Sequence, residues 1–335
     1  MDRRSFVIKR IGQSLLVIAL AYTLVFFTLF VLPGDPIESR ITSPLNPLPQ
    51  EAIGPLLAYY NFDRGAIEQF VIAVGRLFSG DLGYSLVNGN SVASLLQQAI
   101  GETVVLSLTA LAFTAVIVLT VALTAVFAPS RHLRAAARAL PVVFLSTPSF
   151  LVGFLLLQVF AFQLGWVSSI RDQGLISYIL PAATLSIAVS GTITQVLIQG
   201  LYRASREPFV MVLRAKGVPQ ASIVARHILP NGSIPTLTLF ALTVGELLAG
   251  AVVVETVFSR TGIGFLTQQA VRDQDTPVIL AVVVLISTVF VVINLVTDLL
   301  YPVIDPRIGS ALFSPEHAPR RGLSLTRRKV AVIAK

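Results

Sequence analysis

Hydrophobic residues in this chain gather into long unbroken runs, and six of them are long enough to cross about 30 Å of hydrocarbon as helices. The runs are Ile11 to Leu32, Thr103 to Phe127, Leu140 to Leu164, Tyr178 to Ile198, Ile234 to Phe258 and Pro277 to Tyr301. The pattern predicts an all-α, polytopic membrane helix bundle with six transmembrane helices. Residues 1–32 form an N-terminal segment and first span, 33–102 a mixed segment outside the membrane, 103–308 a five-helix core, and 309–335 a basic tail. Pro141 and Pro148 within the third run predict a kink or local unwinding, which neighbouring helices in a bundle can satisfy. Packing and a compliant moving element explain those prolines equally well.

The longest polar interruption inside the core is 206–235, REPFVMVLRAKGVPQASIVARHILPNGSIP. A short helix can begin at Pro208, whose fixed φ suits a first helical position, and run to Lys216 with Phe209, Val212 and Leu213 on one face. Gly217 then stops it, because glycine accepts the left-handed conformation and the Pro219 that follows cannot propagate the turn. A second short helix fits Gln220 to His227, and Leu229-Pro230-Asn231-Gly232 reads as a closing turn cluster. By composition alone the segment is a basic loop at a headgroup surface, carrying Arg203, Arg206, Arg214, Lys216 and Arg226.

Composition agrees with the runs: 54% of the 335 residues are hydrophobic and 13% charged, against about a quarter charged in soluble domains. A net charge of +8 would suit nucleic acid, but its distribution follows topology. Of the 25 basic residues, 19 fall on the side that an even number of spans gives to both termini and to the 206–235 loop. By the positive-inside rule that side is cytoplasmic, so both termini are expected there and no nucleic-acid partner is. The Arg3-Arg4 start is not read as an export signal, because the following apolar run is too long and lacks a small-x-small cleavage site. The chain has no cysteine, which removes disulfides and thiolate chemistry.

Within the spans the candidate chemistry is sparse. Glu246 lies in the middle of the fifth run, where a carboxylate costs about 3 kcal/mol unless paired, protonated or wet. It is a candidate pathway residue, with a hydrogen bond to another helix as the structural reading. Thr184, Ala188, Gly191, Gln195 and Gln199 recur at helical spacing in the fourth run and line either a helix seam or a pathway. Thr184 and Gln195 are the pathway candidates among them. Asp298 lies near the end of its run and reaches the interface. Gly83-x-Ser85 hints at a nucleophile elbow, but Val87 stands where its second glycine is required, leaving a turn. No zinc-protease motif or phosphate loop occurs, so the chain is read as a non-enzyme without cofactor or metal. The outer acids Asp35, Glu38, Glu51, Asp63, Glu68 and Asp81 suit an external protein partner or plain solvation.

One sequence pattern narrows these readings. Gly217, the nine residues Val218 to Arg226, the pair His227-Ile228 and then Leu229-Pro230 resemble the "EAA loop" of ABC importer membrane subunits. The Glu-Ala-Ala positions are held here by Met211, Val212 and Leu213. Pro33-Gly34-Asp35-Pro36 with Phe78 to Ser85, Ala249 to Gly264, and Asn294 to Tyr301 with Asp305-Pro306-Arg307 are similar to the dipeptide/oligopeptide group of that family. The resemblance extends to Ile308. It implies a type I ABC importer permease fold in the cell membrane, paired with a homologous permease, two ATP-binding subunits and an extracellular or periplasmic substrate-binding protein. It also implies that Glu207, Phe209, Met211, Val212, Leu213, Arg214, Lys216 and Gly217 dock on an ATPase. ATP hydrolysis would belong to the partners, and peptides would be the cargo. Nickel and other small-solute permeases share the pattern, and an ATP-independent channel or carrier is the more distant alternative.

Overall fold

The computed structural model describes residues 3–31, 55, 58–60, 64–167 and 173–304. The proline-rich start of the outer segment and the 309–335 tail lie outside the described residues, as do Asp63 and the Asp298 side chain. Twelve α-helices follow in order among them: α1 (Arg3–Val31), α2 (Ala66–Phe78), α3 (Val92–Phe127), α4 (Arg131–Ser146), α5 (Ser149–Leu156), α6 (Ile179–Ser205), α7 (Pro208–Ala215), α8 (Gln220–Ile223), α9 (Leu229–Gly232), α10 (Ile234–Val257), α11 (Ile263–Arg272) and α12 (Thr276–Ile304). Five stretches are long and apolar enough to span a membrane: Arg10–Leu29, Val92–Phe127, Gly174–Ser205, Ile234–Val257 and Thr276–Leu295.

The third expected span, Leu140 to Leu164, is not one straight helix. α4 and the α5 segment, which continues as a π-turn over Leu157–Gln163, meet at an angle of 109°. The break falls at Thr147-Pro148, where Pro148 ends α4 by excluding its predecessor from helical geometry and then begins α5 with an extended ψ of 136°. Pro141, in contrast, sits inside α4. The two pieces still climb α6 in register. Arg138 meets Tyr202, Pro141 and Leu145 meet Gly191, and Gly153 lies against Thr184. Counted as one broken span, the pair brings the total to six.

α6 is the axis of the bundle. In its most apolar window 67% of residues are buried, against 24% or fewer in the other four. Its seams are made by small residues: a Cβ at Gly191 would lie 2.6 Å from Leu145 Cγ and 3.0 Å from the Pro141 carbonyl. Ser186, Ser190 and Thr194, all fully buried, turn their hydroxyls to helix carbonyls, and Ser186 also reaches Ala110 O on α3 at 2.8 Å. Three apolar clusters stack along the bundle. Leu106, Ala110, Tyr178, Leu185, Leu247 and Val254 fill the middle. Val92, Leu96, Ile263, Val278 and Val282 join α3, α11 and α12 at one end. Val118, Ala122, Ile193, Leu197 and Leu201 close the other end, under the 206–235 loop.

Candidate functional site

The loop begins where Pro208 occupies the first turn of α7 and needs no amide partner. Val210 is buried, and Phe209, Leu213 and Val218 pack against the cluster formed by the ends of α3 and α6. The helix stops at Gly217, with φ of +74°. The Gly217 amide donates to Arg214 O (3.0 Å) and the Val218 amide to Leu213 O (3.1 Å), the paired bonds of a Schellman motif. A Cβ at Gly217 would meet nothing within 4 Å, so the backbone angle alone calls for glycine there.

This packing divides the expected docking residues. Phe209 and Leu213 turn inward and hold the loop to the bundle, so they do not share an open face with Val212. Met211 (72% exposed) and Val212 (51%) form the outward apolar patch, with Glu207, Arg214 and Lys216 exposed around it. The second half of the loop also departs from expectation. After α8, the chain runs through a π-turn over Val224–Ile228 into α9, so Leu229 to Gly232 is helical. Pro230 sits in the first turn of α9, and Gly232 serves close packing: a Cβ at Gly200 would come 2.0 Å from Gly232 O. Basic residues finish this end. Arg134 donates to Ala128 O (2.5 Å) and Arg138 to Ala125 O (3.2 Å), both at the C-terminal end of α3, where cations are stabilised by the negative end of the helix dipole.

The pathway candidates separate in the same way. Thr184 is buried and bonded to Leu180 O (2.9 Å) beside Gly153, a helix seam. Gln195 is half-buried, while Thr192 and Gln199 on the same side of α6 are exposed. Glu246 is exposed at the middle of α10, and among the described residues it has no hydrogen bond or ion pair.

At the opposite end lies a polar cluster that sequence reading did not single out. Glu255 is fully buried. Its Oε1 accepts from the Thr103 hydroxyl (2.6 Å), and its Oε2 accepts from the Gly264 and Phe265 amides (2.8 and 3.1 Å). Thr103 Oγ1 in turn accepts from the Ile263 amide (2.8 Å), so α11 starts on a clasp made by α3 and α10. Glycine is required at both contacts: a Cβ at Gly262 would lie 2.1 Å from Glu255 Oε1, and one at Gly264 only 2.4 Å from Val252 Cα. Beside it, Glu102 Oε2 accepts from Arg260 (2.5 Å) and from the Tyr178 hydroxyl (2.9 Å). Burial works against the Arg260 charge, yet Glu102 and Tyr178 outweigh it and raise the guanidinium above the usual arginine value. Ser85, in the turn made by Gly80 and Gly83, bonds the buried Asp275, which also accepts from the Leu86 amide (3.1 Å). The loop before α3 is thus tied to the start of α12. Tyr59 bonds Asp81 (2.5 Å), and burial together with that bond pushes its phenol up to about 12. Among the described residues, no group of acids and histidines could hold a metal ion.

The broken-span bundle, with a folded loop fixed at one end, defines a polytopic transport protein of the ABC importer permease class. Residues 119–310 match the family described as the binding-protein-dependent transport system inner membrane component, and the chain belongs to that family. The chain is 32% identical over 304 residues to the glutathione transport system permease protein GsiC of Escherichia coli K12, covering 91% of this chain and 98% of that one. It is 33% identical over 301 residues to a putative peptide permease protein of Brucella suis, covering 86% and 94%. In fold it is similar to the inward-facing MetNI methionine ABC transporter, at a TM-score of 0.51 and 19% identity over 63% of this chain and 97% of that one.

Proposed function

We propose that this chain conducts dipeptides or oligopeptides across the cell membrane as one permease subunit of an ATP-driven importer. A homologous permease completes the pathway, two ATP-binding subunits dock on the 206–235 loops, and a substrate-binding protein delivers cargo to the opposite face. Both termini lie in the cytoplasm, on the side of the loop. The observation that carries this reading is the outward face of α7, where Met211 and Val212 stand exposed between Glu207, Arg214 and Lys216 on a helix anchored from behind. A short helix with an exposed apolar centre and a charged rim suits insertion into a groove on another protein. Closure of the ATPases would move this helix, and α3 and α6 with it, shifting the pathway between inward and outward access. No bond of the cargo is made or broken in this chain.

The test is uptake of labelled dipeptides and oligopeptides into proteoliposomes holding the complete importer with its own ATPases and binding protein. ATP-dependent accumulation is expected. Accumulation of nickel but no peptide, or peptide uptake without the ATPase subunits, would reject the reading.

A further inference from the structure

Glu246 remains unexplained by the fold. It stands thirteenth in the 24-residue α10, so each flank is about 17 Å of helix at 1.5 Å per residue. Among the described residues it has no partner, and the residues exposed beside it on α10 are Leu242, Ala249 and Val253. A carboxylate on such a face cannot rest against hydrocarbon without a substantial cost. The face therefore meets water or a cation.

The neighbouring wall favours water. Leu185 of α6 packs on Gly250 of α10, where a Cβ would lie 2.8 Å from Leu185 Cδ1, so these faces adjoin. Glu246 lies one turn from Gly250, and Thr192 lies two turns from Leu185 on the same side of α6. Thr192 and Gln199 are exposed and Gln195 is half-open. Around mid-helix the two helices present uncharged polar groups and a single exposed carboxylate, with the exposed Arg203 one turn beyond Gln199, framed by apolar residues that limit screening. That is a site for a positively charged group passing along a polar wall. Resting on the peptide reading above, we infer that Glu246 is the cation-holding residue of the pathway and takes the ammonium group that ends an unmodified peptide. A lysine or arginine of the adjoining permease is the competing occupant, and it makes a different prediction.

The chain has no cysteine, so an introduced thiol is its single target once the partner subunits are made cysteine-free. The complete importer carrying Ala249→Cys is treated with a cationic and an anionic methanethiosulfonate of similar size, with and without Glu246→Gln. Ala249 is exposed and stands three residues from Glu246. The cation-to-anion rate ratio should fall at least about tenfold when the carboxylate is removed, because one charge across roughly 6 Å acts with opposite sign on the two reagents and gives that factor even at the dielectric of water. Glu246→Gln alone should lower peptide uptake several-fold while the subunits stay assembled, and Glu246→Asp should restore part of it. An unreactive Ala249→Cys, an unchanged ratio, or normal uptake by Glu246→Gln would overturn the inference. Dissociation of the two permeases in Glu246→Gln would also overturn it, in favour of an intersubunit ion pair. An unsubstituted importer that hydrolyses ATP but accumulates no peptide would instead reject the proposed function.

Discussion

Three donors converge on the Glu255 carboxylate, so its replacement by glutamine turns one accepting oxygen into a donor that faces another donor. Glu255→Gln should destabilise the protein by about 1–3 kcal/mol, the cost of leaving a buried polar group unmatched. Glu255→Ala should cost more, since the Thr103 hydroxyl and the Gly264 and Phe265 amides all lose their acceptor. Thermal unfolding in detergent measures both, and midpoints equal to the unsubstituted protein would remove the clasp from consideration. Ser259 and Gln274 hold φ of 52° and 54°, each closing a helix by the same paired bonds that Gly217 makes. Non-glycine residues are strained in that region. Gln274→Gly should therefore stabilise by up to about 1 kcal/mol, visible as a higher unfolding midpoint. Residue by residue, the sequence spoke unevenly. Gly217 was legible because proline follows and an apolar helical face precedes it. Glu255 was not, because a carboxylate near the end of an apolar run looks interfacial until the tertiary fold brings Thr103 and the α11 amides onto it.

At the scale of elements, α7 faces both ways, and the two faces answer to different substitutions. Met211→Asp places a charge in the exposed patch, so it should abolish retention of the ATPase subunits while the permease keeps its unfolding midpoint. Leu213→Asp puts a charge against the cluster of Ile193, Leu197 and Leu201, and should lower that midpoint as well as retention. Gly217→Asp strains the turn by roughly 1 kcal/mol. It should leave the spans inserted but cut peptide taken up per ATP consumed. Equal retention and coupling in all three would reject the docking assignment. Five of the six spans were legible as runs of apolar residues. In the third run Pro148 marked the break but not its 109° angle, because hydropathy averages over a window and does not see direction. The helical state of Leu229 to Gly232 was hidden for a related reason. Pro-Asn-Gly is turn chemistry locally, and only the crossing with Gly200 shows why glycine stands there.

For the whole molecule the arrangement of ends is the testable property. The loop and the start of α4 share one end with Arg134, Arg138, Arg203, Arg206, Arg214 and Lys216, while the Glu255 clasp and the Ser85 turn share the other. In sealed cells, an impermeant thiol reagent should modify Asn90→Cys and leave Lys216→Cys untouched until the membrane is opened. The reverse pattern would invert the topology. The clasp end is knit by side chains over long sequence distances, Thr103 to Glu255 and Ser85 to Asp275, and the loop end by apolar packing.

The contact of Gly200 with Gly232 gives the loop end a mechanical character. Two backbones touch there with no side chain between them to bend or change rotamer, so there is nothing compressible at the joint. A push on the loop is passed to α6 without slack, and α6 is the helix that every broken or bent part of the bundle leans on. Stiffness at a single bare crossing thus makes a displacement at the surface into a displacement of the axis.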